Sequence, residues 1–333
     1  MVARGLVTFK TTPSIAATGV TAGPLERKSP FADKFDKIYD DERCGLKTNE
    51  HANTKMIEDA CMIALSKVES VPGDADFLLI GDLVNQMTPS NFAAATLGIP
   101  YIGLFSACST SVSSLLLAAL LTETGMSTCA IAGASSQHNA VERQFRYPVE
   151  YGAQKPDTAQ WTVTAAGVAA VTPYKKGLPS IECATIGCVI DLGMTDPLNM
   201  GAAMAPAAAD TLTRHLKGHS KDISDYDVIM TGDLGKVGFE LYKTLAGNQG
   251  IDVSENFRDA GKEFYGADEA FLAGASGAGC SAAIFLTEII EKMVAGKYKR
   301  VLLIATGALL SPLSFQQGDT IPCIAHAIEL TMK

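Results

Sequence analysis

Residues 104–121 read LFSACSTSVSSLLLAALL, and this stretch decides the fold. The apolar run YIGLF (residues 101–105) leads into Cys108, small hydroxyl residues follow it, and a leucine-rich helical pattern comes next. This order predicts a strand, a tight turn and the start of a helix. A cysteine at such a turn stands exposed beside the free N–H groups and positive dipole end of the helix, where a thiolate is favoured. The alternative is an inert packed thiol, because free cysteine is among the most buried residue types.

The overall composition is that of an ordinary folded chain. Its 333 residues are 47% hydrophobic and 19% charged, which is enough for one large core or two fused cores. Thirty-six acidic residues against 27 basic ones give a net charge of −9. This negative charge disfavours nucleic acid and anionic lipid surfaces as direct partners. Small molecules or proteins are therefore the expected partners.

The cysteines and apolar runs bear on compartment and membrane attachment. The eight cysteines form no CxxC pair and no regular framework, so we expect reduced cytosolic thiols. The longest apolar run, residues 115–121, is about a third of the ~20 residues that a spanning helix needs. We expect neither a signal peptide nor a transmembrane segment.

Segments of the same type recur in the same order in the two halves of the chain. The pairs are PSIAATGVTAG (13–23) and PSIECATIGCVIDLG (179–193), helical patterns at 56–68 and 207–216, FLLIGDL (77–83) and YDVIMTGDL (226–234), the Cys108 turn and GASGAGCSAAIFLTEIIEKMVAG (274–296), STCAIAGAS (127–135) and RVLLIATGA (300–308), and WTVTAAGVAAV (161–171) and CIAHAIELTMK (323–333). This repetition indicates an internal duplication. Continuous apolar strands alternating with helices predict an α/β fold, with a mixed sheet covered by helices on both faces.

The two halves meet near residues 172–178, where PYKKGLP interrupts the pattern. We place the boundary between residues 1–175 and 176–333. Glycine and proline punctuate the chain here without forming a flexible linker, so the halves are expected to share one packed interface.

A duplicated α/β chain with a cysteine at a strand-to-helix turn, and a glycine-rich SGAGCSAA turn at the matching place, resembles the thiolase superfamily. The resemblance covers essentially the whole chain and implies a layered αβαβα arrangement. Three segments more narrowly resemble the stage V sporulation protein AD family of endospore-forming bacteria: SSQHNAVERQFRYPVEYGAQKPDTAQWTVT (135–164), DPLNMGAAMAPAAADTL (196–212) and SPLSFQQGDTIPCIAHA (311–327).

The narrower resemblance implies a function and a location. It implies binding of dipicolinic acid, as the free acid or its calcium chelate, and uptake of that compound into the developing spore. The partners it implies are small membrane proteins of the same operon, which hold the protein at the cytoplasmic side of the spore inner membrane. It also implies a homodimer, which we expect to form partly by strand pairing near residues 101–115, where the small residues 106–111 let two backbones approach.

Cys108 lacks the partners that a condensing enzyme or thiolase supplies to its cysteine, namely histidines, an asparagine or a second cysteine. Where such a histidine is expected the chain reads TGDL (231–234), and AGASGAG (273–279) stands in place of the asparagine or the Gly-His-Pro. The second thiolase cysteine falls near Ala305. Cys108 is therefore predicted to hold a degenerate nucleophile position in a protein that is not an enzyme. The alternative is an acyl-CoA condensing enzyme or acyltransferase that uses Cys108.

Candidate ligand-binding residues follow the strand that ends in AGAS. Donors and rings suited to a flat pyridine dicarboxylate lie within QHNAVERQFRYPVEYG; they are His138, Asn139, Arg143, Gln144, Arg146, Tyr147 and Tyr151. The alternative is that Glu142, Arg143 and Arg146 form a solvated helix face and that the aromatic residues pack at a dimer interface.

Weaker candidates lie at other strand ends. Asp82 and Gln86 follow the strand before the Cys108 unit and either bind ligand with Cys108 or cap a turn. His326 lies in the closing strand, as a ligand residue or as a core histidine. His215 and His219 are spaced i, i+4, but no third ligand follows them, so no metal site is predicted, and no cofactor either.

Overall fold

The structure is a computed structural model that describes residues 4–144, 154–253 and 256–333. The elements of the first half are β1 (Leu6–Thr8), β2 (Ser14–Ala22), β3 (Lys37–Ile38), α1 (Asn49–Lys67), β4 (Phe77–Gly81), α2 (Thr88–Leu97), β5 (Tyr101–Gly103), α3 (Thr110–Glu123), β6 (Ala130–Ser136), α4 (His138–Glu142), β7 (Trp161–Thr162) and β8 (Ala165–Thr172). The elements of the second half are β9 (Pro179–Thr185), α5 (Met200–Gly218), β10 (Val228–Thr231), α6 (Gly235–Gly247), β11 (Phe257–Asp259), α7 (Ala260–Glu263), β12 (Ala275–Ser276), α8 (Ala278–Ile284), α9 (Ile290–Val294), β13 (Arg300–Ala308), α10 (Pro312–Gln317) and β14 (Cys323–Met332).

The two halves have the same sheet topology. The five main strands of each half lie in the order third, second, fourth, fifth, first, which is β5-β4-β6-β8-β2 and β11-β10-β13-β14-β9. Strand directions also match. In each of these two orders, the first three strands are parallel to their neighbours, and the last two pairings along the order are antiparallel: β5-β4-β6 and β11-β10-β13 are parallel, while β6-β8-β2 and β13-β14-β9 are antiparallel. The first strands, β2 and β9, join at Ser14 and Ser180. The predicted duplicated α/β fold is confirmed.

The core lies in layers. α1 and α2 pack on the outer face of the first half's strands, and α5 and α6 on the outer face of the second half's strands. Between the two sets of strands lie α3 and α8, whose buried residues, such as Leu115 and Ile284, share one apolar cluster with β8 and β13. Helices covering mixed sheets on both faces are the predicted αβαβα arrangement.

Two outer helices extend beyond their predicted limits. α1 begins at Asn49 because the Thr48 side chain accepts a hydrogen bond from the His51 N–H and caps the helix. α5 begins at Met200 and carries Pro206 within it. The predicted boundary between the halves, residues 175 and 176, lies in the connection from β8 to β9 and stays a prediction.

The two edge strands of the sheet differ in exposure. In β5, Ile102 and Gly103 are exposed, and Phe105 just beyond the strand is 51% exposed. In β11, Phe257 and Asp259 are buried. Residues 106–111, which the sequence offered as a surface for close backbone approach, are buried within the chain, so that reason for a dimer is wrong. Within the described ranges, no helix is long and apolar enough to cross a membrane.

Candidate functional site

The turn that carries Cys108 is as tight as predicted. Ala107 adopts a left-handed conformation with φ 50°, and the Ser109 N–H donates to the Ser106 carbonyl across the turn. β13 runs directly against this backbone: a Cβ on Gly307 would lie 2.3 Å from the Ser106 carbonyl oxygen. Glycine is therefore required at residue 307, and the second half fixes the position of the turn.

Cys108 is buried, not exposed. Burial raises the pKa of its thiol well above the usual value, and the nearby Asp233 carboxyl, which accepts a hydrogen bond from the thiol, raises it further. The Gly277 N–H lowers this pKa but does not offset the other two effects. The prediction that the helix terminus favours a thiolate is therefore wrong, because an acid faces the sulfur where an activated cysteine needs a cation.

Asp233 comes from the TGDL segment, two residues after β10 ends. Burial raises the pKa of its carboxyl. The carboxyl accepts hydrogen bonds from Thr306 Oγ1 at 2.7 Å, Gly277 N at 2.9 Å and Ser276 Oγ at 3.0 Å. Four donors, including the Cys108 thiol, thus converge on one acid from β12, β13 and the two helix-start turns. The place where the sequence lacks a histidine is filled by this carboxyl.

A cavity of about 170 Å³ opens beside Cys108. Its wall is mainly apolar, with two phenylalanines and a few polar groups. Among the described residues, the wall is formed by Leu83, Phe105, Ala107, Cys108, Val141, Glu142, Lys155, Ala159, Gln160, Thr162, Pro197, Leu198, Met200, Ser276, Gly277, Ala308, Leu310 and Phe315. Both halves contribute, and no histidine is among these residues.

The charged part of the wall is a buried ion pair. Lys155 Nζ lies 2.7 Å from Glu142 Oε1 and 4.5 Å from the centroid of the Trp161 ring. His138 stacks on the same Trp161 ring, with ring centroids 4.3 Å apart, and its Nδ1 is 3.0 Å from the Thr162 carbonyl. The alternative that Glu142 belongs to a solvated helix face is wrong, because Glu142 is buried against this lysine.

Of the predicted ligand-binding residues that the structure describes, only Cys108 is part of the cavity wall. His138 lies just behind the wall, against Trp161. The Arg143 guanidinium is half-exposed and pairs with Glu50. Arg146, Tyr147 and Tyr151 are outside the described residues.

The weaker candidates, at other strand ends, lie deeper or on turns. The Asp82 carboxyl accepts hydrogen bonds from Val84 N at 2.8 Å and Ser90 N at 2.9 Å, as the capping alternative requires, and burial raises its pKa to about 6. Gln86 takes a left-handed conformation before α2. His326 is buried in β14, where its Nδ1 accepts from Gly187 N and burial lowers its pKa to about 4.

Sequence reasoning missed several residues of this site. Lys155 is a lone lysine in a polar loop, and nothing in AQKPD distinguishes it from a surface residue. Gln160 bridges the Asp233 and Ala275 carbonyls through Nε2, at 2.7 Å each. The Gly-Asp-Leu repeat was the one usable signal for Asp233, since a polar residue directly after a buried parallel strand lies at the ligand edge of the sheet.

The fold and a cysteine at the start of a central helix define a thiolase-like protein. Solved structures of this class align with nearly all of the chain, and they show the fold alone because identity is low. 3-Oxoacyl-[acyl-carrier-protein] synthase III from Aquifex aeolicus VF5 matches at TM-score 0.59 and 15% identity, covering 96% of this chain and 99% of that one. A variant of OleA from Xanthomonas campestris with cerulenin matches at TM-score 0.61 and 14% identity, covering 97% of both chains.

Sequence comparison identifies the family. The model of the family described as stage V sporulation protein AD matches residues 3–331. Stage V sporulation protein AD of Bacillus subtilis (strain 168) is 45% identical over 314 residues, which are 94% of this chain and 93% of that protein. The chain belongs to the stage V sporulation protein AD family, and the predicted resemblance is confirmed.

Proposed function

We propose that this sporulation protein binds dipicolinic acid in the cavity beside Cys108, without catalysing a reaction, and takes part in uptake of that compound into the developing spore. The observation that carries the proposal is a cationic group, Lys155, in the wall of a small, largely apolar cavity that also holds an unactivated thiol. Such a cavity suits a small aromatic anion.

The chemistry of the wall supports a planar aromatic acid. Phe105 and Phe315 offer aromatic surface for one ring, and Lys155 offers charge-assisted hydrogen bonds to a carboxylate. The volume of about 170 Å³ is below the ~300–1,000 Å³ typical of drug-sized ligands. A single ring with two carboxylates fits this scale better than a long acyl chain.

The charge of Glu142 should make the cavity bind the free acid and its calcium chelate with different affinities. A free dicarboxylate would place negative charge near the Glu142 carboxylate, whereas a chelated calcium ion would bring positive charge to it. Calcium dependence of binding therefore reports which species the cavity takes.

The electrostatics of Cys108 support the proposed absence of turnover. A thiol is a weak nucleophile until it loses its proton. Burial and Asp233 both hold the proton on Cys108. The second candidate, an acyltransferase, rests on the structural likeness to a 3-oxoacyl-[acyl-carrier-protein] synthase and on the place of Cys108 at the helix start.

We also propose a peripheral position at the spore inner membrane, held by membrane proteins of the same operon, and a homodimer formed through β5. A net charge of −9 opposes direct attachment to anionic lipid, which favours attachment through protein partners. The exposed Ile102 of β5 and Phe105 just beyond it support the dimer, because an open edge strand pairs readily with another chain.

The test is titration of the full chain with dipicolinate by calorimetry, with and without calcium. We expect binding that weakens at least about tenfold in Lys155→Met, the loss of one charge-assisted contact. Lys176→Met, at an exposed lysine, is the matched control and should bind normally. Because Lys155→Met removes an ion-pair partner of the buried Glu142 carboxylate, the Lys155→Met/Glu142→Gln double variant is measured as well.

Intact-mass measurement after incubation with acyl-CoAs separates the two functions. We expect no acyl adduct on Cys108. An adduct that disappears in Cys108→Ala would favour the acyltransferase. If the protein forms no adduct and also binds no dipicolinate, both functions are contradicted.

A further inference from the structure

A second cluster of chemically reactive side chains lies away from the cavity, between α5 and the outer face of the second half's strands. Cys183 of β9, His215 of α5 and His219, which follows the last residue of α5, bring one possible ligand atom each to within 4.8 Å of one another. Cys183 is the third ligand that the sequence alone did not connect with the two histidines. Cys183 and His215 are buried, and His219 is partly exposed, which leaves a route from solvent.

His219 is oriented as a metal ligand. Its Nε2 lies 3.2 Å from the Ala184 carbonyl oxygen. Since a carbonyl oxygen only accepts, Nε2 carries the proton in this contact, and the neutral ring presents an unprotonated Nδ1. A ligating histidine typically donates its second N–H to a carbonyl or carboxylate in this way.

His215 can present a nitrogen without losing its support. Its Nδ1 lies 2.9 Å from Thr185 Oγ1, and its Nε2 lies 3.1 Å from the Tyr226 hydroxyl. The Thr185 hydroxyl either donates or accepts, so it supports both tautomers. With the proton on Nδ1, Nε2 is free to bind a cation while Tyr226 keeps its hydrogen bond to Glu329 Oε2, at 2.7 Å.

Glu329 places a carboxylate oxygen near Cys183 and His215. Its Oε1 is held by Arg300 and Lys221, while its Oε2 faces the cluster. Oε2 lies 3.6 Å from Cys183 Sγ and 3.7 Å from His215 Nε2. Bond lengths of ~2.0–2.3 Å to a tetrahedral zinc ion give ligand–ligand distances of about 3.3–3.6 Å. The two distances to Glu329 Oε2 are close to that geometry, whereas the three ligand atoms, which lie within 4.8 Å of one another, must move closer when an ion binds.

We propose that Cys183, His215 and His219 form a binding site for a zinc-class divalent transition-metal ion, next to the Glu329 carboxylate. Mixed sulfur and nitrogen ligands select such ions over calcium and magnesium. On binding, the Cys183 S–H bond breaks, the sulfur keeps the electron pair and forms the metal–sulfur bond, and the proton passes to solvent. The site is independent of dipicolinate binding, since none of its three ligands is in the cavity wall.

The test is cobalt titration of the chelator-treated full chain, followed by optical absorption. We expect one equivalent to bind, with a thiolate-to-cobalt charge-transfer band and the intense visible bands of tetrahedral cobalt, and zinc to displace it. Cys183→Ser should abolish the charge-transfer band and weaken binding at least about tenfold. Cys188→Ser, at a nearby exposed cysteine, is the matched control and should behave as wild type.

His219→Gln covers the case in which Cys183→Ser does not fold. The glutamine amide can still donate to the Ala184 carbonyl, but it lacks Nδ1, so the protein should fold and bind cobalt more weakly. Wild-type protein that binds no cobalt, or that binds it without a thiolate band, would overturn the proposal. A band that is lost in Cys188→Ser would overturn it too.

Discussion

The two halves have the same three residues, Gly-Asp-Leu, where their second main strand gives way to a loop, and they use the aspartate differently. In the first half, Asp82 accepts hydrogen bonds from Val84 and Ser90, all within the next turn and helix. In the second half, Asp233 instead binds Gly277 and reaches across to Cys108 of the other half. One copy of the motif caps a helix, and the other organises the site.

The two helix-start turns differ in a similar way. Ala107 precedes Cys108 with φ 50°, and Gly277 precedes Ala278 with φ 105°, so both turns have a residue in a left-handed conformation before the helix. The first half has a thiol at the next residue, and the second has a methyl group. Both turns thus have a residue with positive φ before the helix, while the thiol that follows this residue is present in the first half only.

The largest expected effect separates the two aspartates. Asp233→Ala should lower the free energy of unfolding by about 4 kcal/mol and Asp82→Ala by about 2 kcal/mol, because the first leaves more buried donors without an acceptor. Urea denaturation of both variants measures the difference. Equal losses would mean that the bonds of Asp233 between the halves add nothing to the local capping seen at Asp82.

The edge strands give the next contrast. Ile102→Lys in β5 should weaken a homodimer about a hundredfold, roughly 3 kcal/mol, by placing a charge on the exposed edge. Arg258→Ala in β11, the opposite edge, should leave assembly unchanged. Sedimentation over a range of concentrations measures both. A monomeric wild type at micromolar concentration would contradict the proposed dimer.

A third effect tests a contact between the halves. Glu26 Oε1 accepts hydrogen bonds from Thr164 N at 2.9 Å and from the Tyr265 hydroxyl of the second half at 3.0 Å. Burial raises the pKa of Glu26 from 4.5 to about 7. The folded state therefore binds a proton that the unfolded state has released, and stability falls as pH rises from 4.5 through 7.

Glu26→Gln should remove that part of the pH dependence. The unfolding free energy of the variant minus that of wild type should rise by about 2–3 kcal/mol from pH 4 to pH 8, because only wild type loses stability over this range. Glu69→Gln, at an exposed glutamate, is the control. Parallel stability curves for wild type and Glu26→Gln would show that Glu26 titrates normally.

The smallest expected effect comes from a substitution that gives both helix-start turns the same side chain. Cys108→Ala, which copies Ala278 into the first half, should cost at most about 1 kcal/mol and change dipicolinate affinity no more than a few-fold, because the thiol is not activated. Cys280→Ala, at a fully buried cysteine outside the cavity wall, is the control for packing. Loss of dipicolinate binding in Cys108→Ala alone would assign the thiol a direct role in recognition.

The fold was predictable because its signals are local. A strand buried on both faces is a continuous apolar run, so β4, β6, β10, β13 and β14 were each visible in the sequence, and their repetition gave the topology. The start of α1 was missed because Thr48, its cap, lies outside the apolar pattern.

The site was less predictable because its contacts join distant segments. Asp82 and Asp233 lie in the same motif, and nothing near either of them tells which one faces Cys108. Glu142 was assigned to a solvated face in one alternative, and only its pairing with Lys155 explains its burial. Polar side chains carry no periodic pattern that identifies their partners.

Trp161, against which His138 stacks and which Lys155 covers, is the single tryptophan of the chain. It belongs to β7, which pairs with β12 of the second half, and its neighbour Thr162 lies in the cavity wall. Its intrinsic fluorescence therefore arises from one place, the seam between the halves beside the cavity. Emission spectra can follow docking of the halves during refolding, and quenching can follow ligand entry, without any attached label.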